Sequence, residues 1–127
     1  MTEITISSGE LSVQAQLNQS PTAEAIIAAL PLTGQASTWG EEIYFEIPVD
    51  MPQAPDARTE VEVGDLGYWP AGNALCIFFG PTPVSSGEKP KAYSPVNLIG
   101  SVAGDAKLFR TVRDGDEISI SLSLQGT

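Results

Sequence analysis

The stretch VGDLGYWPAGNALCIFFGPTP, residues Val63–Pro83, decides how the fold is read. An alternating run and an apolar run flank Pro70-Ala71-Gly72-Asn73, four residues that favour a turn. The run before the turn, Thr59–Trp69, opens with Val61 and Val63 alternating against Glu60 and Glu62. That period of two predicts a half-buried strand with the valines inward and the glutamates in solvent. The run after the turn, Ala74–Gly80, is apolar without interruption, as expected of a strand covered on both faces. The turn brings Trp69 back beside this second strand, so the two runs pair.

The same alternation extends outward in both directions. Glu3–Ser8 and Leu11–Leu17 read as a hairpin around Ser8-Gly9-Glu10. Ser20–Leu30 predicts the main helix. Ser20 caps it, Pro21 suits the first turn, and Glu24 lies near its positive end. Ala23, Ile26, Ile27 and Leu30 share one face, and Pro31 closes the segment. Thr33–Trp39, Glu42–Val49, Val96–Val102 and Asp116–Leu124 read as strands, with Asp114-Gly115 as a turn. Asp50–Arg58 and Pro81–Pro95 read as loops, and Asp105–Thr111 as a short helix. About eight short strands without a βαβ rhythm predict a mainly β fold: a closed antiparallel β-barrel with one main and one short helix. At 127 residues this is expected to be one domain, residues 1–127.

Composition removes whole classes of function. The formal net charge is −10, from 16 acids against 6 bases, and no Lys or Arg precedes Arg58. Nucleic acid and anionic membrane surfaces repel such a chain. There is no histidine, and Cys76 is the single cysteine, so imidazole catalysis, thiolate zinc sites and internal disulfides are excluded. No metal or cofactor is expected. No apolar run reaches the ~20 residues of a membrane span. MTEITISSGE lacks the basic-then-apolar layout of a signal peptide, so a cytoplasmic location is expected. GPTPVSSGEKP fails as a phosphate loop because Glu88 and Pro90 flank Lys89. Asp114, Asp116 and Glu117 lack calcium-loop spacing. Glu41 and Glu42 are adjacent and point to opposite faces, a poor carboxylate dyad.

Three segments in order, STWGEEIYFEIPVD, VEVGDLGYWPAGNALCIFFGPTP and SPVNLIGSVAGDAKLFRTVRDGDEISI, resemble the cyclophilin-like proteins of prokaryotes, a small family of uncharacterised function. A more remote similarity links them to the true cyclophilins, which are peptidyl-prolyl isomerases. Gly64, the Pro70–Asn73 turn and Phe78-Phe79 match the floor of the cyclophilin proline pocket. The resemblance therefore implies the cyclophilin-like barrel. It does not imply the catalysis. True cyclophilins carry an arginine on an early strand, and the matching EEIYFEIP here offers Tyr44, Phe45 and Glu46 instead. The pocket histidine and tryptophan also have no counterpart in Pro81–Pro95.

What remains is a groove. Cys76 and Phe78 are two apart on a strand and share a face, leaving Phe79 for the barrel interior. By the resemblance Phe78 faces the groove, with Trp69 at its edge and Tyr44 and Tyr93 as walls. The expected partner is a peptide or a small apolar ligand. The alternative is an enzyme, with residual prolyl isomerase or carboxylate-based activity. A third possibility is an interaction protein that uses its acidic surface. A groove-facing Phe78 implies that Phe78→Ala weakens binding and leaves the fold intact.

Overall fold

The structure is a computed structural model, and it describes residues 2–123. Strands β1 (Thr2–Ser8) and β2 (Leu11–Leu17) form the expected hairpin, in register from Thr2 opposite Leu17 to Ser8 opposite Leu11. Ile4, Ile6, Val13, Ala15 and Leu17 all turn to the core, as the period of two requires. Helix α1 (Pro21–Ala29) begins where its cap places it: the Ser20 hydroxyl accepts the Ala23 N–H at 3.2 Å. It buries Thr22, Ala23 and Ile26.

The remaining strands are β3 (Leu32–Gln35), β4 (Ser37–Thr38), β5 (Glu42–Glu46), β6 (Arg58–Glu60), β7 (Asp65–Trp69), β8 (Ala74–Phe78), β9 (Lys91–Val102) and β10 (Glu117–Leu122). Short 3₁₀ helices cover Pro70–Gly72 and Ala106–Thr111. Among the described residues the strands form one antiparallel sheet in the order β3-β10-β1-β2-β9-β7-β8-β5-β4, with β6 pairing β9 beside it.

This sheet corrects the expected closed barrel: it is open, with β3 and β4 at its two ends. The cause lies at Ala36. Leu32–Gln35 pairs with β10, whereas Ser37 and Thr38 pair with β5. Between them the Ala36 N–H goes to the Asp116 carbonyl at 2.7 Å, and the Ala36 carbonyl accepts the Gly115 N–H. The segment thus hands its hydrogen bonds from one neighbour to another along its length. Neither half is paired on both sides, and no ladder closes the ring.

The main core lies on one face of the curved sheet. It gathers Ile4, Ile6, Phe45, Leu66, Tyr68, Leu75, Ile77, Phe79, Ile99 and Phe109, with α1 and the second 3₁₀ helix packed against it. The buried Tyr68 hydroxyl donates to the Val49 carbonyl at 2.6 Å and accepts the Met51 N–H, which pins the chain after β5. Asn73, at φ 48°, turns the chain between β7 and β8.

Three other expectations change. Val63 is 44% exposed, because the strand stops at Glu60. Gly64 at φ 98° and an Asp65 carboxylate accepting the Glu62 N–H make a turn there instead. The loop after Pro81 ends at Lys91, where β9 starts. The final strand was expected to reach Leu124, which lies outside the described residues. No helix among the described residues is long and apolar enough to cross a membrane.

Candidate functional site

Strand β8 sorts its side chains by the pleat. Leu75, Ile77 and Phe79 enter the main core. Cys76 and Phe78 turn the other way, into a smaller cluster with Val61, Ala92 and Val96, flanked by Tyr44, Trp69 and Leu98. Phe78 is 0% exposed and sits at the base of this cluster. Gly67 makes room above it: a Cβ there would lie 2.9 Å from Val96 Cγ2 and 3.4 Å from the Phe78 ring.

Over this layer opens a cavity of about 220 Å³ lined by Trp39, Glu42, Tyr44, Trp69, Cys76, Ala92, Tyr93, Ser94 and Val96. Strand β5 supplies Glu42 and Tyr44, two apart and on one face. Trp39 is set by a turn in which its N–H donates to the Glu42 carbonyl at 2.9 Å. Trp69 ends β7, and its indole N–H donates to the Ser94 hydroxyl of β9. The indole is thereby satisfied at its polar edge.

The four rings stand at steep angles to one another. Tyr44 and Trp69 have centroids 6.3 Å apart at 83°. Trp69 and Tyr93 are 6.2 Å apart at 82°. Trp39 and Tyr93 are 6.1 Å apart at 80°. Each ring is nearly perpendicular to the next, as adjacent walls of a box are. Tyr93, 74% exposed, stands at the mouth.

Glu42 is the polar group inside this box. It is 5% exposed, and among the described residues its Oε1 has no hydrogen-bond partner. Burial pushes its pKa up to about 7, and interaction with the Cys76 thiol offsets a little of that. Burial likewise pushes the thiol well up, and the neighbouring Glu42 charge adds to it. Glu41 does the opposite. It points away from the cavity to Arg110 and Lys107, and the Arg110 hydrogen bond holds its carboxyl below the usual range. The bare Cα of Gly80 leaves space for it, since a Cβ would lie 2.1 Å from Glu41 Oε1.

The structure thus brings Tyr44, Trp69, Cys76 and Tyr93 around one cavity and puts Phe78 beneath it, outside the lining. The reason is depth: Val61, Val96 and Gly67 enclose the ring. Trp39, Glu42 and Ser94 were not anticipated. Glu42 had a usable signal, because it lies two residues before Tyr44 on the same strand. Arg58, the nearest guanidinium in sequence, is exposed on β6 and borders a separate hollow with Pro95. Among the described residues no Lys or Arg lines the aromatic cavity, and no three His, Cys, Asp or Glu side chains are placed to hold a metal.

Comparison with known proteins agrees with this architecture. The sequence model described as cyclophilin-like matches residues 2–121. The solution structure of a hypothetical protein from Archaeoglobus fulgidus superposes with a TM-score of 0.80 at 32% identity, over 96% of this chain and 95% of that one. No curated protein matches the sequence.

Proposed function

The chain belongs to the cyclophilin-like family, and from that premise we propose that it is a binding protein whose aromatic cavity holds one compact, largely hydrocarbon group of a peptide or small ligand, without classical prolyl isomerase catalysis. One observation carries this reading: four rings enclose a cavity of about 220 Å³. A pocket of roughly 150 Å³ suffices for benzene, so the space suits a group of that size or slightly larger. Apolar walls with a few polar groups are the usual chemistry of a ligand site.

The test is a thermal-shift screen of compact apolar and alkylammonium compounds, because a ligand that binds only the folded state raises its melting point. Hits are expected to lose about 1 kcal/mol of affinity in Tyr93→Ala, which removes one wall at an exposed position. Hits unaffected by Tyr93→Ala and by Trp69→Ala would refute the reading.

A second reading is supported by Glu42 alone. A carboxyl that titrates near neutrality is suited to move a proton. In that case Glu42→Gln would abolish turnover of a bound compound while leaving its affinity in place.

A further inference from the structure

The orphaned Glu42 carboxyl points to the charge of the ligand. A buried carboxyl oxygen without a partner is costly, and a native structure that keeps one calls for an explanation. Among the described residues Oε1 has no partner, and the carboxyl's one neighbouring donor is the weak Cys76 thiol. Across from Glu42, β8 offers the weak donor Cys76, β9 offers Tyr93 and Ser94, and β5 itself offers Tyr44. Ser94 accepts the Trp69 N–H, and neither its hydroxyl nor those of the tyrosines bonds Oε1. The two nearby cations, Lys107 and Arg110, are engaged by Glu41 on the other side.

Four ligand chemistries can be weighed against this site. A neutral apolar group would bury Oε1 further and leave it unpartnered. An anion would meet both Glu42 and a net charge of −10. A primary ammonium is strongly hydrated and brings three N–H donors that must each find an acceptor, in a cavity walled mainly by ring carbon. A quaternary ammonium has no N–H to satisfy. Its positive methyl groups are attracted to the negative faces of aromatic rings, and its charge answers the carboxylate.

We propose that the group held in this cavity is an alkylated ammonium of the trimethylammonium type, enclosed by Trp39, Tyr44, Trp69 and Tyr93 and paired in charge with Glu42. The proposal rests on the ligand-binding reading above. The trimethylammonium belongs either to a free small molecule or to a methylated lysine side chain of a peptide.

The cation requires the ionised carboxylate. Without a cation beside it, Glu42 takes up a proton below about pH 7. Affinity for a cation therefore falls as pH drops below that value, by up to tenfold per unit.

The experiment compares choline with its uncharged isostere 3,3-dimethyl-1-butanol by calorimetry at pH 8 and pH 5.5. Choline is expected to bind at least roughly tenfold tighter than the alcohol at pH 8. Its affinity should fall up to roughly 30-fold at pH 5.5, while that of the alcohol does not. Glu42→Gln keeps the shape of the side chain and should erase both the preference and the pH dependence. A short peptide carrying trimethyllysine separates the two sources: tighter binding than choline assigns a peptide side chain, and equal binding a small molecule. If the alcohol binds as well as choline, or tightens at low pH, the cation proposal fails and the pocket reading stands. If neither probe binds and the compound screen yields no hit, both fail.

Discussion

The Glu42 carboxyl and the Cys76 thiol are diagonal neighbours on antiparallel strands. Glu42 lies opposite Phe78, and Tyr44 lies opposite Cys76. The pleat turns both side chains to the same face, where they form the floor of the aromatic cavity. A thiol is a weak donor, so the carboxyl gains a neighbour and still lacks a full hydrogen-bond partner.

Stability should record this through pH. Unfolded, Glu42 ionises near the ordinary value of 4.5; folded, burial keeps it neutral up to about 7. Below 4.5 both states hold the proton and Glu42 favours neither. Between 4.5 and about 7 the unfolded chain ionises first, so folding loses stability as pH rises, and above 7 the loss is complete. The shift corresponds to about 3 kcal/mol at most. Glu42→Gln should therefore be more stable than the parent at pH 8 by up to that amount, and the difference should shrink toward pH 4. Urea unfolding at the two pH values measures it, and contributions from Glu41 and Asp65 cancel in the difference. An equal difference at both pH values would contradict the burial of an uncompensated carboxyl.

Cys76 should be chemically quiet. Its thiol is buried and held protonated well above the ordinary range, and the thiolate is the reactive form. A chromogenic disulfide reagent at pH 8 is expected to label the native protein negligibly within minutes and the urea-unfolded protein fully. Rapid labelling of the native protein would show the cavity floor to be open to solvent.

Phe78 and Phe79 lie on opposite faces, and both are buried. Phe78 is 0% exposed beneath the cavity, and Phe79 packs on Phe109 in the main core with ring centroids 6.3 Å apart. Phe78→Ala and Phe79→Ala should each cost about 3–5 kcal/mol. For Phe78→Ala this departs from the outcome expected of a ring that faces the groove. A Phe78→Ala protein that melts within a few degrees of the parent would place the ring at the surface after all.

Much of this was readable in the chain because the signals were local. The period of two in Leu11–Leu17, the cap at Ser20 and the unbroken apolar run of Ala74–Phe78 each act within a few residues. The misreadings come from a local turn that overrides the alternation and from distant partners. The alternation through Val63 is clear in sequence, yet the Asp65 carboxylate and Gly64 bend the chain away. Lys91–Pro95 carries a proline and reads as loop, yet its Lys91 carbonyl accepts the Thr82 hydroxyl and it pairs with β6. The open sheet follows from the handover at Ala36, which no local pattern encodes. At the site, Tyr44, Trp69 and Tyr93 were legible as walls from the family resemblance, the Pro70–Asn73 turn and the long loop, not from alternation. Glu42 was weighed only as a dyad partner of Glu41, and its place two residues from Tyr44 went unused.

Prolyl isomerase activity should be absent. Easing rotation about the prolyl bond takes a positive group placed on the amide, and among the described residues no Lys or Arg lines the cavity. A proline-peptide assay is expected to show the uncatalysed rate. Acceleration in proportion to protein concentration would contradict this, and Arg58, across the neighbouring hollow, would then be the first residue to replace.

The claim that the aromatic cavity is the ligand site is tested most directly by nuclear magnetic resonance of the isotope-labelled protein, titrated with the best-binding compound from the screen. The account predicts saturable shifts of the Trp39 and Trp69 indole N–H signals, together with the amides of Tyr44, Cys76, Tyr93 and Ser94. Saturable shifts centred elsewhere, such as the hollow bordered by Pro21, Met51 and Leu98, with both indole signals unmoved, would contradict it.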